Sequence, residues 1–371
     1  MGCYGPGYVS WGVQSNWLYA GAMATLAEQP TTRDQSRWRD RAVATLRFLL
    51  ATHVTGHRPG NDGKRWGNTW ISMLGIERAM NGLAGLIPSL PEADQAHLKR
   101  VLVSEADWLL KPARGKCSGI GAGLWNKDGR NHPESNLWSG CLLWRAAELY
   151  RGELHADAWR EQAHRFLMNG VSVEADALDV TPVAGRPVSE WHIGANFFPH
   201  YALDHHGYFN VGYMIICASN AAILHFDCKR AGFTTPASLY HHQADLWRIL
   251  RRMIFGDGRL ARLGGDSRVR YAYCQEYLLP ALLFAADHHG DSHAPSLVDR
   301  QMALVEREAD GGGGLFYGER LEHLRLNNPH YYTRLEADRA GVLAMLINDL
   351  PLVEKTAPAK ASFADSVTGS W

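Results

Sequence analysis

Apolar residues recur at helical spacing in long blocks, and the blocks are parted by segments rich in Gly, Pro, Asn and Asp. The pattern predicts helices at roughly 12–28, 33–54, 69–87, 91–111, 133–151, 155–169, 210–230, 235–255, 269–288, 294–309 and 329–349. Pro91, Pro133, Pro236 and Pro329 fall near first turns, where a missing N–H costs little, so these starts are the sharpest boundaries. Strand-like alternation is nearly absent. One short hairpin is predicted, in the loop Gly256–Arg270.

Helices of this length must each bury one stripe against neighbours, and sequential αα-hairpins do so by stacking side by side. They form either an open superhelix or a closed ring. No repeat of about 34 or 40 residues can be read, which disfavours a regular solenoid. Some connections are tight, while 112–132, 171–209 and 256–268 are long and carry polar and aromatic residues. That asymmetry predicts an all-α fold, an (α/α) toroid or α/α barrel, complete or incomplete, of about five to six helix pairs. One face would be closed by tight turns and the other would carry function on long loops. Residues 1–354 are read as this domain and 355–371 as a polar C-terminal tail.

Charge narrows the partners. With 38 basic and 38 acidic residues the formal net charge is zero, so nucleic acid, which selects a basic excess, is not expected. Six scattered cysteines show no CxxC pair, so neither a metal nor another cofactor is expected. No basic and then apolar leader opens the chain, and no window approaches 18 unbroken apolar residues. The domain is therefore expected to be soluble and off the membrane. Its compartment stays open, a secreted or periplasmic destination after signal removal included, as does its oligomeric state.

The aromatics point further. The chain has 13 Trp and 14 Tyr against 11 Phe, and the first two join an apolar face to a polar handle, as carbohydrate sites require. The plain reading is that they fill gaps between helices.

Three clusters could hold chemistry. Ser189–Met214 (SEWHIGANFFPHYALDHHGYFNVGYM) packs Glu190, Trp191, Asn196, Asp204, His205, His206, Tyr208 and Tyr213 ahead of an apolar helix. Ordering so many polar groups is costly unless they act. His206 and Tyr213 lie seven residues apart near a helix start, with Gly207 and Gly212 between them giving conformational freedom or close approach. A His–Tyr pair can remove a carbon-bound proton and protonate a leaving oxygen. In the second cluster, NKDGRNHPESNLW, Glu134, Asn136 and Trp138 open a helix behind Pro133, and Asn68 and Trp70 in GNTW repeat the theme. Helix capping is the plain reading of Glu134. In the third, Asp266, Arg268 and Arg270 lie in GDGRLARLGGDSRVR, where arginines can hold a carboxylate bidentately or simply be solvated.

The helical toroid taken with NHPESNLW, ALDHHGYFNVGYM and GGDSR resembles the toroid domain of polysaccharide lyases, broadly the heparinase, chondroitin and alginate lyase group. The His-Gly-aromatic segment running into a Tyr-Met helix start is similar, more narrowly, to lyases acting on glucuronate next to rhamnose. The resemblance rests on about forty residues of motif and implies β-elimination at a uronic acid in an acidic oligo- or polysaccharide. That chemistry needs the carboxylate neutralised, a base for the C5 proton and an acid for O4. Asn136 and Asn196, assisted by Arg268, are the expected neutralisers, with His206 as base and Tyr213 as acid, or the two exchanged. His205, Tyr208, Trp191, Glu134, Trp138, Asn68, Trp70, Arg270 and Asp266 are expected to bind substrate. Lyases of this group usually carry β-sandwich domains after the toroid, and the tail Lys355–Trp371 has no strands, so the chain is expected to be a minimal form or a fragment.

Two alternatives stay open. A toroid-type glycoside hydrolase would use two carboxylates among Glu134, Glu190, Asp204 and Asp266. A non-catalytic glycan-binding domain would need none.

Overall fold

The computed structural model describes residues 2–5, 7, 11–111, 119–126, 131–263, 268–310 and 315–354, with the backbone alone at 268–270, 310, 318–319 and 354. The chain is mostly helical. The principal helices are α1 (Trp11–Glu28), α2 (Gln35–Thr52), α3 (Ser72–Leu83), α4 (Glu92–Leu109), α5 (Pro133–Leu149) and α6 (Ala156–Met168), followed by the single turn α7 (Val188–Trp191). After it come α8 (Val211–Ala231), α9 (Gln243–Leu250), α10 (Arg268–Glu276), α11 (Leu278–Asp287), α12 (Ala294–Asp310), α13 (Glu322–Asn327) and α14 (Pro329–Glu354). Pro133 and Pro329 each stand at the first position of their helix, and Pro91 caps α4.

Two kinds of helix can be told apart by burial. All twelve residues of α3 are buried, and α1, α5, α8 and α11 are buried around most of their circumference. A helix sequestered on all sides belongs to an interior layer, whereas α2, α4 and α6 bury a single stripe. The interior helices contact one another in order: α1 packs on α3, α3 on α5, α5 on α8, α8 on α11, α11 on α14, and α14 on α1. The striped helices lie against them, α2 on α1, α4 and α6 on α5, α9 on α8 and α12 on α11. One helix, α8, is long and apolar enough to cross a membrane by composition, but 94% of that apolar window is buried among its neighbours.

Buried ion pairs tie the interior helices together. Arg145 of α5 donates to both Glu77 oxygens of α3, at 2.8 and 3.0 Å, and to Asp227 of α8 at 2.6 Å. Asn81 of α3 bonds Asp227 and Asp349 of α14, and Arg230 of α8 pairs with Asp349. Elsewhere in the core Arg78 of α3 donates to the Tyr273 hydroxyl and pairs with Asp338, which also accepts from Tyr277 at 2.8 Å. Charges this deep are tolerated only when paired and hydrogen-bonded.

Departures from the sequence pattern are local. The expected 235–255 helix is shortened to α9, flanked by 3-10 turns at Ala237–Tyr240 and Arg251–Met253. The 269–288 block divides into α10 and α11. Among the described residues of the Gly256–Arg270 loop no two-stranded hairpin is found: a bridge joins Ile254 to Leu260 and Arg268 already opens α10, while 264–267 lie outside the described residues. Two-stranded hairpins stand instead at β1–β2 (Pro182–Val183 with Arg186–Pro187) and β3–β4 (Asp204–His205 with Tyr208–Phe209). Both turn on paired positive-φ residues, Ala184–Gly185 and His206–Gly207. Two-residue turns of that kind match strand twist, but a His in the first position hides the signal usually read from Asn-Gly or Asp-Gly. The tail 355–371 lies outside the described residues.

Candidate active site

The β3–β4 hairpin delivers two imidazoles to the start of α8. His206 (φ 62) and Gly207 (φ 84) make its turn, leaving the His206 side chain exposed while His205 is buried. Asn210 then caps α8, its Oδ1 accepting the Tyr213 N–H at 3.0 Å while its Nδ2 donates to the His205 carbonyl at 3.1 Å. A single side chain thus fixes the strand that carries His205 to the helix turn that carries Tyr213. Gly212 permits this placement, since a Cβ there would meet Cys274 Sγ of α10 at 2.6 Å. The three rings form one group: His205 and Tyr213 centroids are 4.3 Å apart, His206 and Tyr213 5.1 Å, and the two histidines 4.4 Å.

This group opens into a cavity of about 400 Å³. Trp11 of α1, Leu74 of α3, Glu134 and Trp138 of α5, Tyr273 of α10, Arg334 of α14 and Trp70 from the turn before α3 complete its wall. The indoles form one aromatic side, Trp70 lying 6.2 Å from both Trp138 and Trp11. Arg334 stacks on Trp11 at 3.7 Å and faces Asp338 at 3.6 Å, placing a buried guanidinium beside that aromatic side. Trp11, Glu134 and Tyr213 lie in the first turns of α1, α5 and α8, so three helix N-termini adjoin the cavity.

Hydrogen bonding defines the protonation of the histidine. His205 Nδ1 lies 2.8 Å from Asn131 Oδ1, an acceptor, and 3.4 Å from Asn126 Nδ2, a donor; the shorter contact favours the tautomer with its proton on Nδ1 and its lone pair on Nε2. Nε2 stands 3.8 Å from Glu134 Oε1. Burial raises the Glu134 carboxyl to about 7, against weaker lowering by its own backbone and by Ser135. Burial likewise holds the Tyr213 phenol well above its usual range, with Tyr273 and Glu134 adding to the effect and Arg334 opposing it. Glu134 Oε2 and Trp138 Nε1, both on cavity-lining residues, have no hydrogen-bond partner among the described residues. Such polar atoms are rarely left without a ligand or water.

The residues expected from sequence divide sharply here. His205, His206, Tyr213, Glu134, Trp138 and Trp70 share the cavity. Asn136 and Asn196 do not line it. Their amide nitrogens are committed to main chain: the Nδ2 atoms of both residues donate to the Gly121 and Asn169 carbonyls, Asn136 Oδ1 accepts the Gly121 N–H, and Asn196 Oδ1 has no partner among the described residues. They anchor the 119–126 strip, whose Asn126 does reach the cavity and accepts the His206 N–H at 3.1 Å. The expected role in neutralising a carboxylate is therefore displaced from these two amides.

Trp191 packs in a small separate cluster with Met168 and Val188, its Nε1 donating to the Val183 carbonyl, and does not reach the cavity. Asn68 (φ 52) serves the turn before α3, its N–H donating to Glu105. Tyr208 and Asp204 lie on a separate apolar cavity of about 660 Å³ with Trp125 and Phe198. Glu190 is exposed on α7. Asp266 lies outside the described residues, and of Arg268 and Arg270 only the helical backbone is described.

Comparison with known proteins yields no match. No family model, no curated protein and no solved structure is significantly similar to the chain. The site is therefore read from its own chemistry. Arg334, Trp11 and Tyr273 were missed in the sequence because each belongs to a helix whose pattern looks like ordinary core. Asn131 and Asn126, by contrast, stand within the quoted NKDGRNHPESNLW segment.

Proposed function

We propose that the chain is a polysaccharide lyase that cleaves a uronic-acid-containing glycan, glucuronate linked to rhamnose being the narrower candidate, by β-elimination in an (α/α) toroid. The closed order of contacts among α1, α3, α5, α8, α11 and α14 supports the toroid. The observation that carries the chemistry is the grouping of His205, His206 and Tyr213 beside Glu134 and Arg334 in one indole-walled cavity.

A uronate bound against Trp70 and Trp138 would direct its carboxylate to Arg334 and to the protonated form of Glu134. Neutralising that charge stabilises the enolate-like intermediate formed when the C5 proton leaves. His205 is the better base of the two histidines, since the Asn131 contact favours a proton on Nδ1 and leaves Nε2 3.8 Å from Glu134 Oε1. His206, exposed at the hairpin turn, is assigned to substrate contact. Tyr213, its phenol kept protonated by burial, donates to the departing O4. The same shift argues against exchanging the two roles.

The hydrolase reading has less support. Inversion needs a second carboxyl about 6.5–9.5 Å from the first, and among the described residues Glu134 is the carboxylate that lines the cavity. Product masses separate the readings: incubation with a glucuronate–rhamnose polysaccharide should release oligosaccharides one water lighter than hydrolysis gives, with the unsaturated uronate at the new non-reducing end. Products of full hydrolytic mass would replace the lyase assignment, and unchanged polymer across a uronate panel would leave the binding-module reading.

A further inference from the structure

Away from the cavity, three side chains from two segments converge. Asp176 lies in the 3-10 turn Glu174–Leu178 that follows α6, and His241 and His242 lie just before α9. Asp176 Oδ1 is 2.8 Å from His242 Nε2, and Oδ2 is 3.1 Å from His241 Nε2. Candidate ligand atoms of the three all fall within 4.8 Å of one another, and all three side chains are largely buried. His242 holds a left-handed backbone (φ 53), uncommon outside glycine, to bring its ring to this point.

The other nitrogen of His242 is decisive. Nδ1 lies 3.1 Å from Asp245 Oδ2, so one imidazole meets a carboxylate at each nitrogen. A neutral ring carries one N–H and donates to one carboxylate alone, leaving Nδ1 to accept from the Tyr201 hydroxyl at 3.0 Å; bridging both carboxylates takes a second proton or a metal. A second proton on His242 is one solution, since Asp176 and Asp245 face the ring from both sides while His241 reaches the other Asp176 oxygen. A metal is the other: both Nε2 atoms, already gathered with the Asp176 carboxylate within 4.8 Å, become lone-pair ligands, and the His242 Nδ1–H donates to Asp245, the carboxylate–histidine support usual behind metal-bound imidazoles. Two imidazoles and one carboxylate suit a divalent ion of the zinc class, with a water completing the shell. Nearby, His192 Nδ1 is buried without a hydrogen-bond partner among the described residues, and after burial itself the charges of Asp176 and His241 act on the ring.

We propose that Asp176, His241 and His242 bind a divalent transition-metal ion that fastens the 171–209 loop, and with it the His205–His206 hairpin, to the connection between α8 and α9. Tyr201, from the same loop, hydrogen-bonds Asp245 with its hydroxyl 3.0 Å from His242 Nδ1 and adds to this joint. The inference does not depend on the lyase reading.

The test uses the full-length protein, freed of metal by chelation and titrated with Zn²⁺ and separately with Co²⁺. One equivalent should bind, measured by elemental analysis after gel filtration, and should raise Tm. His241→Gln and Asp176→Asn should each lose that equivalent while retaining the far-ultraviolet spectrum of the wild type. Absence of uptake, or full uptake by both variants, overturns the proposal and leaves the cluster as an ion pair held by a proton. Should the variants fail to fold, the wild-type cobalt spectrum decides: visible d–d bands without thiolate charge transfer are expected, and their absence or a cysteine signature contradicts the site.

Discussion

His205 and Tyr213 lie ring against ring at 4.3 Å, tilted by 34°, on two different elements that Asn210 holds together. The strand residue offers an imidazole held at Nδ1 by Asn131, and the helix residue a phenol kept protonated by burial. If these are base and acid of one elimination, His205→Ala and Tyr213→Phe should each lower turnover by about 10² or more, the scale of general acid–base catalysis. Both should keep the wild-type circular dichroism spectrum. Near-normal turnover in either would remove that residue from the mechanism.

Asn210 is the joint between them. Asn210→Ala removes the cap of α8 and the bond to the His205 carbonyl, so a stability loss of about 1 kcal/mol is expected from the cap. Turnover should fall further than so small a loss can explain, because the two rings lose their common anchor. Urea denaturation and kcat measured on the same sample test this; a stability loss with unchanged kcat would show the joint to be structural only.

Much of this arrangement is legible along the chain, and the reasons for the remainder are physical. Helix bounds come through because the apolar period is strong and Pro133 and Pro329 sit where a helix begins. His205, His206 and Tyr213 are found because they crowd one segment. Asn136 and Asn196 mislead because a carboxamide serves equally to bind a ligand or to clamp a loop, and only the Gly121 and Asn169 partners reveal which. Arg334 escapes notice because its role depends on α14 returning to α1, a contact across the length of the chain.

Glu134 gives a pH-dependent signature. Its folded carboxyl is raised to about 7 by burial, above the unfolded value of 4.5, so its protonated form stabilises the fold. That stability is fully present below pH 4.5 and is lost as pH rises through 7. The loss corresponds to roughly 3 kcal/mol. Glu134→Gln, which mimics the protonated group, should match wild type near pH 4.5 and exceed it at pH 8. A stability difference that does not change over this range would show that the carboxyl is already ionised in the fold.

The buried ions make a separate prediction. Arg145 pairs with Glu77 and Asp227 away from solvent, so Arg145→Ala leaves carboxylates uncompensated and should cost about 3–5 kcal/mol in urea denaturation. Replacing Arg145 and Glu77 together by Met and Leu should recover part of the loss. No recovery in the double variant would mean that Asp227, not Glu77, is the group left exposed to the core.

Continuous ultraviolet absorbance during incubation with glucuronate-, galacturonate- and mannuronate-containing polysaccharides is the most direct measurement of the central claim. The proposed mechanism predicts a steady rise on at least one of them, from the double bond conjugated to the uronate carboxylate, and no rise with Tyr213→Phe. Release of new reducing ends while the absorbance stays flat would contradict elimination at this cavity.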